Sequence, residues 1–435
     1  MSDTTNHPSA VPNISMTVGE GGRWERSAGL ARLAAILVWS VVVPFGLFVP
    51  ISVYGILGLD FTSVDESVLD HVLHVAALLS ACALLLAAFH RPFRPALGQV
   101  VVAALIVFGT YIVFIVFSRY LYIRPVLLVA VAWSVVTLIP FVRIMNRLDR
   151  GVVGLIPTGD AIAIAGPFQN SVVTIPSPEA QVDRFSVIAA DFSRPMDPRW
   201  TRFVARAMMS RRRVLHVAEL HEYETRKVAI SHFEPEHAGD VTNQLQRTLK
   251  RWIDIAIVVL AAPFALVLVA LAAIAIYLES GKPVLFKQRR LGLNNEPFTI
   301  YKLRTMVEAD RVEAAKPGDA RVTRLGAILR RTRIDELPQL WNILRGEMSF
   351  VGPRPEWDDL VDRYLVDIPE YNFRHLVLPG LTGWAQVKGG ASSTVEEARE
   401  KLQYDLYYVK HQTLLFDLEI FARTVLAMLW GRNIR

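Results

Sequence analysis

Residues 330–355 read RRTRIDELPQLWNILRGEMSFVGPRP. An adjacent acidic pair, Asp335 and Glu336, stands on the approach to a helix. Arg330, Arg331 and Arg333 precede it, and the turn Gly352-Pro353-Arg354-Pro355 follows. Pro338 suits the first turn of a helix, where its missing N–H leaves no bond unmade, and 339–344 can continue that helix. Acids so placed meet free backbone N–H groups and the positive end of the helix dipole. Two carboxylates, a ring of arginines and a helix start together point to a site for a metal-bound phosphate. The plainer alternative is an N-cap Asp followed by a first-turn Glu that complements the dipole. The density of Arg, Gly and Pro around the pair favours the first reading.

Upstream, residues 253–277 are apolar except for Asp254, long enough to span a bilayer. Lys250 and Arg251 stand before this run, and Lys282, Lys287, Arg289 and Arg290 after it. A spanning helix would put one basic cluster on the wrong side of the membrane. Pro263, near the middle, can break a helix. A re-entrant helix over 252–278 that enters, bends at Pro263 and returns satisfies both flanks.

The first half of the chain is a membrane sequence. The protein is 52% hydrophobic over 435 residues, with a mean hydropathy of +0.32. Residues 1–27 form a polar tail, expected to be disordered, without the basic start and prompt apolar core of a secretory signal. Apolar runs follow at about 33–57, 68–89, 97–117 and 126–142, which predicts a four-helix transmembrane bundle over 28–150. Arg23, Arg26 and Arg32 precede the first run, Arg91 and Arg94 follow the second, and Arg143, Arg147 and Arg150 follow the fourth. Asp60, Asp65, Glu66 and Asp70 lie between the first two. The excess of positive loops places both the N-terminus and everything beyond Arg150 in the cytoplasm, with Arg119 and Arg124 outnumbered. Few charges fall mid-span, so no proton relay or substrate path is expected there. The lone Cys82 sits in an apolar run as a small buried hydrophobe and excludes an intrachain disulfide.

Residues 151–240 change character. Short β-type runs at 161–165, 172–175, 186–190 and 213–217 alternate with Gly/Pro turns and a helix over 200–210, a small α/β domain. No Gly-x-Gly-x-x-Gly follows a strand, so no nucleotide is assigned to it. The net charge of +6 is spread over membrane flanks and motif positions rather than gathered on one face, which argues against nucleic acid.

Beyond the 253–277 run, further motifs come in order: 288–292 QRRLG, 301–306 YKLRTM, 324–326 RLG, the 330–355 stretch, 379–387 PGLTGWAQV and 404–408 YDLYY. Each alone could be a basic face, a turn or an aromatic stripe. In this order and spacing the stretch from about residue 250 to 435 resembles the bacterial sugar transferase family, the monotopic polyprenyl-phosphate phosphoglycosyl transferases. The transmembrane runs and the α/β insert are similar to its long forms, the undecaprenyl-phosphate hexose-1-phosphate transferases.

That resemblance implies transfer of a sugar 1-phosphate from a UDP-sugar to polyprenyl phosphate with release of UMP, the first membrane step of exopolysaccharide, capsule or O-antigen assembly. It implies a nucleophilic role for Asp335, through an aspartyl-phosphosugar, and a Mg²⁺ ligand in Glu336. Arginine forks suit phosphate oxygens, which makes Arg304 and Arg354 the leading phosphate binders, with Lys302 and Arg290 next and Pro353 and Gln339 beside them. Two positions depart from the family pattern. Ala262 stands where Ser often precedes the bending proline, and Arg333 where a small hydroxylated residue is common before the acidic pair.

The expected fold is a membrane α+β protein: the bundle, the α/β domain, and a mostly α catalytic domain over 241–435 anchored by the re-entrant helix. The amphipathic 414–430 stretch is expected at the lipid interface. The expected setting is the bacterial inner membrane, multi-pass, with the catalytic domain facing the cytoplasm. Partners are the UDP-sugar, polyprenyl phosphate and the bilayer, and a homodimer is compatible with the sequence. The rival reading is a non-catalytic membrane scaffold or export component whose Asp-Glu pair is only a cap.

Overall fold

The computed structural model describes residues 30–59, 66–88, 100, 103–104, 106–111, 124–149, 152–233, 244–307, 319, 321–389 and 394–429. The polar tail, Arg91, Arg94, Arg119, much of the third apolar run, and Trp430 with Arg432 lie outside the described residues. The chain divides into two compact units, 1–217 and 218–435.

In the first unit, helix α1 (Leu30–Ile56) is π-wound over Val38–Phe48 and Ile51–Ile56. It packs with α2 (Glu66–Ala88) and α3 (Arg124–Asp149). Helix α2 buries Val72, Val75, Ala76, Leu79, Cys82, Ala83 and Leu86. Steps of three and four place these residues on one face. That face meets Phe48 and Val53 of α1 and Phe141, Val142 and Met145 of α3. The opposite faces expose Val41, Val42, Leu84, Leu128 and Val136. Helices apolar on both the packed and the outward side belong in lipid rather than water. All three are long and apolar enough to cross a membrane. From the third run, Val100, Ala103, Phe108 and Tyr111 join the same core.

The α/β segment of this unit is a four-stranded, all-parallel sheet in the order β2-β1-β3-β4. Its strands are β1 (Val153–Leu155), β2 (Val173–Thr174), β3 (Val187–Ala190) and β4 (Arg213–His216). Two local expectations change. The alternating Ala-Ile-Ala-Ile-Ala reads as a strand but forms helix α4 (Ala161–Ala165). Alanine is the strongest helix former, and one helical turn buries Ala161, Ile164 and Ala165 at i, i+3 and i+4 while Ile162 stays exposed. Strand β1 is not read from the sequence, because its three residues include Gly154, whose missing side chain admits the Phe185 ring. Helix α5 (Pro198–Met209) follows the 200–210 pattern.

In the second unit, residues 218–233 pack with the C-terminal domain, although composition groups them with the middle segment. Helix α6 (Val217–Thr225) presents buried Glu222 to Lys410 and His411, each 2.8 Å away. Val228 and Ile230 enter a core with Tyr371, Trp384, Leu402, Leu406 and Tyr408.

Helix α7 (Gln244–Ser280) runs unbroken past Pro263. Among the described residues it is the fourth helix long and apolar enough to cross a membrane. Its buried positions, Asp254, Val258, Ala265, Ala272 and Ile276, recur at four and seven residues, one stripe of a helix. Val258 and Ala265 pack on Phe298, Ile300 and Ile343, and Ala272 and Ile276 on Leu303 and Leu329. The remaining surface exposes Leu260, Phe264, Leu266, Val267, Leu271 and Ile274. Both ends are bonded to the same domain. At the start, Lys250 pairs with Asp417 at 2.5 Å and Arg251 donates to the carbonyls of Ile343 and Leu344. At the end, Arg304 donates to the Ser280 and Gly281 carbonyls, and Glu279 accepts from the Leu325 amide.

The hairpin β5 (Leu285–Leu291) and β6 (Pro297–Leu303) lies on α7, followed by α8 (Arg324–Thr332). A 3-10 turn over Ile334–Gln339 then leads into α9 (Leu340–Arg345). A parallel pair, β7 (Ser349–Val351) and β8 (Gly380–Thr382), holds two loops together. The domain is completed by α10 (Asp358–Asp367), α11 (Trp384–Lys388), α12 (Val395–His411) and α13 (Leu414–Leu429). Helix α13 buries Phe416 and Ile420 and exposes Leu418, Phe421, Val425 and Leu426, the amphipathic pattern expected of an interfacial helix.

Candidate active site

The acidic pair sits on the 3-10 turn, which is separated from α8 by the single residue Arg333. Arg333 ends α8 in the left-handed region, with φ 59°, and this reversal turns the pair inward. Both carboxylates are buried, Asp335 at 7% exposure and Glu336 at 5%. Two buried acids are costly unless cations answer them.

The answer is unequal. Glu336 Oε1 accepts from Lys302 Nζ at 3.0 Å and from an Arg354 amine at 3.1 Å, and Oε2 accepts from Arg333 at 3.1 Å. Asp335 Oδ1 is buried and accepts from no protein group among the described residues. Burial raises both carboxyls. For Glu336 the charges of Lys302, Arg354 and Arg333 outweigh burial and hold it well below the ordinary carboxylate range. For Asp335 burial, reinforced by the Glu336 charge, prevails over Lys302, Arg330 and Arg333 and pushes the carboxyl up to about 6.

Each cation is placed by its own element. Lys302 is near the end of β6, and β6 is fixed to α9 by Asn342, whose side chain accepts from Tyr301 N and donates to the Thr299 carbonyl. Arg354 follows β7 on a loop that closes against 378–383. A Cβ on Gly352 would lie 2.2 Å from the Leu378 carbonyl, and one on Gly380 2.1 Å from the Gly352 amide. Only glycine permits that backbone approach. Gly380 N also donates to the Pro353 carbonyl at 2.9 Å.

Behind Arg354 lies a second layer of buried charge. Arg374, with a side chain 0% exposed, donates to the Arg354 carbonyl and to Tyr371 Oη, both at 2.8 Å, and pairs with Asp405 at 2.8 Å. Glu356 binds Lys401 at 2.5 Å and faces Arg290 at 3.6 Å. Burial raises Glu356, but Lys401, Arg374 and Arg290 overcome it and push its carboxyl down to about 2.

The structure thus brings Asp335, Glu336, Lys302 and Arg354 into one cluster, with Pro353 in the loop that carries Arg354 and Arg290 on β5 behind it. Arg290 donates to the Pro355 carbonyl at 2.9 Å. Gln339 is buried nearby, its Nε2 without a hydrogen-bond partner among the described residues. Arg304 is elsewhere engaged: its guanidinium caps the end of α7 on Ser280 and Gly281. Pro263 lies on α7, away from these contacts. Sequence reasoning passes over Arg374, Glu356 and Lys401, since a lone charge inside an aromatic or helical stretch carries no motif signal.

The donors fit a magnesium ion. Magnesium takes oxygen ligands and keeps several waters, and the remaining lone-pair position of Glu336, next to the unpartnered Asp335 Oδ1, offers such an oxygen.

Residues 245–431 match the model of a family described as bacterial sugar transferase. The chain belongs to that family. It is 38% identical over 263 residues to a UDP-N-acetylgalactosamine-undecaprenyl-phosphate N-acetylgalactosaminephosphotransferase of Aeromonas hydrophila, covering 59% of this chain and 62% of that protein. It is 48% identical over 189 residues to a UDP-glucose:undecaprenyl-phosphate glucose-1-phosphate transferase of Caulobacter vibrioides, covering 42% and 71%. An exopolysaccharide production protein of Rhizobium leguminosarum is 38% identical over 201 residues, covering 42% of this chain and 95% of that one.

Proposed function

We propose that this protein transfers a sugar 1-phosphate from a UDP-sugar to undecaprenyl phosphate at the cytoplasmic face of the bacterial inner membrane, opening the assembly of an exopolysaccharide, capsule or O-antigen unit. The names of the relatives support the substrate classes. They differ in the sugar, so the donor is assigned only as a UDP-hexose or UDP-N-acetylhexosamine.

The observation that carries the chemistry is the unequal acidic pair. A carboxylate oxygen free of hydrogen bonds is available as a nucleophile, while its neighbour is held rigid by three cations. Asp335 attacks the phosphorus that bears the sugar, and the bond from that phosphorus to the bridging oxygen breaks. UMP leaves with the bridging oxygen. A phosphate oxygen of the polyprenyl acceptor then attacks the same phosphorus, freeing Asp335 and leaving a polyprenyl diphosphosugar. Lys302 and Arg354 stand where they can turn from Glu336 to the diphosphate oxygens. Magnesium, held by Glu336 beside the nucleophile, would offset charge on the diphosphate.

Contacts at both ends of α7 with one domain support the re-entrant reading, since a helix that crossed the bilayer would carry its ends to opposite sides. Arg247 and Lys250 then share a side with Lys282 and Lys287, as the basic flanks require.

UMP release by the full chain in detergent, with undecaprenyl phosphate and a panel of UDP-sugars, tests the reading. Asp335→Asn should abolish release while leaving abundance and thermal midpoint unchanged. Undiminished turnover in that variant would remove Asp335 as nucleophile.

A further inference from the structure

The three contacts on Glu336 have a consequence for how a metal reaches the site. A carboxylate offers about four lone-pair positions, and Lys302, Arg333 and Arg354 occupy three of them. With Asp335 counted beside them, three cations face two acids, one net positive charge. Arg330 acts on Asp335, and Arg290 on Glu336, from farther away. A bare dication entering here meets net positive charge at short range and in a buried site, where screening is weak. A diphosphate meets attraction from the same groups. A diphosphate that already carries its metal brings little or no net positive charge.

We infer that the site does not load free magnesium: the metal enters only with the diphosphate of the nucleotide, and Arg333 enforces that order. The inference rests on the transferase reading above. Arg333 is the decisive cation because it alone binds Oε2, so its removal frees a whole oxygen of Glu336. It is also the member of the clamp held by an unusual backbone, with φ 59°. Asparagine adopts that conformation readily, so Arg333→Asn removes the charge without breaking the turn.

Mn²⁺ serves as the probe, followed by electron paramagnetic resonance on the purified full chain in detergent. The nucleotide-free protein should show no saturable Mn²⁺ site at sub-millimolar concentration. With UDP present it should hold one Mn²⁺ per chain, lost in Asp335→Asn. Arg333→Asn should bind Mn²⁺ without nucleotide roughly tenfold more tightly than wild type, the least expected from removing one nearby like charge. Equal Mn²⁺ affinity with and without UDP in the wild type would overturn the order and leave the transferase reading standing. Unchanged affinity in Arg333→Asn would take the role from that residue. Mn²⁺ held in neither state, with UMP release persisting in EDTA, removes the metal from the reaction and this inference with it.

Discussion

Asp335 and Glu336 are chemically similar neighbours, yet the fold treats them oppositely: one is clamped by three cations, the other left with a free oxygen. The same principle governs the layer behind. Glu356 has a carboxyl pushed down to about 2 from an ordinary 4.5. Because its folded value is depressed, its contribution to stability is present above the unfolded value and is lost as pH falls through the folded one. Wild-type stability should therefore decline as pH drops from about 4.5 towards about 2. Glu356→Gln should remove that part of the slope and cost roughly 3–5 kcal/mol near neutrality, because Lys401 and Arg374 lose a buried partner. Tryptophan fluorescence during thermal unfolding reads both effects. Equal midpoints for variant and wild type would show the second layer to be dispensable. At this scale the acidic pair and Arg354 were legible, since adjacency and a Gly-Pro-Arg-Pro turn are patterns in one dimension. Arg374 was not, because it meets Asp405 and Arg354 only in the folded domain.

Among elements, the close pass of the β7 and β8 loops decides where Arg354 stands. A methyl group on Gly380 would meet the Gly352 amide and carbonyl together. Gly380→Ala should push the two loops apart and displace the arginine. A displacement near 1 Å at a reacting site costs about a hundredfold in rate, so UMP release should fall by that order, well beyond any drop in thermal midpoint. Full activity in this variant would mean that the loop contact does not set the site. The glycines of 379–387 thus have a steric cause that spacing alone does not reveal. The apolar runs at 33–57, 68–89 and 126–142 fall on the long helices of the first unit because lipid-facing and core-facing sides are both apolar over many turns. The turn at Ala161–Ala165 was not, because five residues of alternating Ala and Ile satisfy a strand and a single helical turn alike.

For the whole molecule, the test concerns which side of the membrane each end of α7 occupies. In a Cys82→Ala background, single cysteines at Arg247 and Lys282 should react with an impermeant maleimide in inverted membrane vesicles and stay unlabelled in intact cells. Labelling of either position from outside would restore a spanning helix and carry the acidic pair's domain away from the UDP-sugar proposed as its substrate.

The sequence by itself determined which segments belong in a membrane, that the C-terminal half belongs to the bacterial sugar transferase family, and which two acids to examine. Those are matters of composition and local order, and they survive without coordinates. Only the tertiary structure decided that Arg304 caps α7 rather than facing the pair, and that Arg333 completes the clamp on Glu336. It also decided that residues 218–233 pack with the catalytic half. The first and last join groups far apart in the chain, which a linear pattern does not encode; Arg333 and Glu336 are only three residues apart, but they meet through the left-handed turn at Arg333, which composition does not reveal.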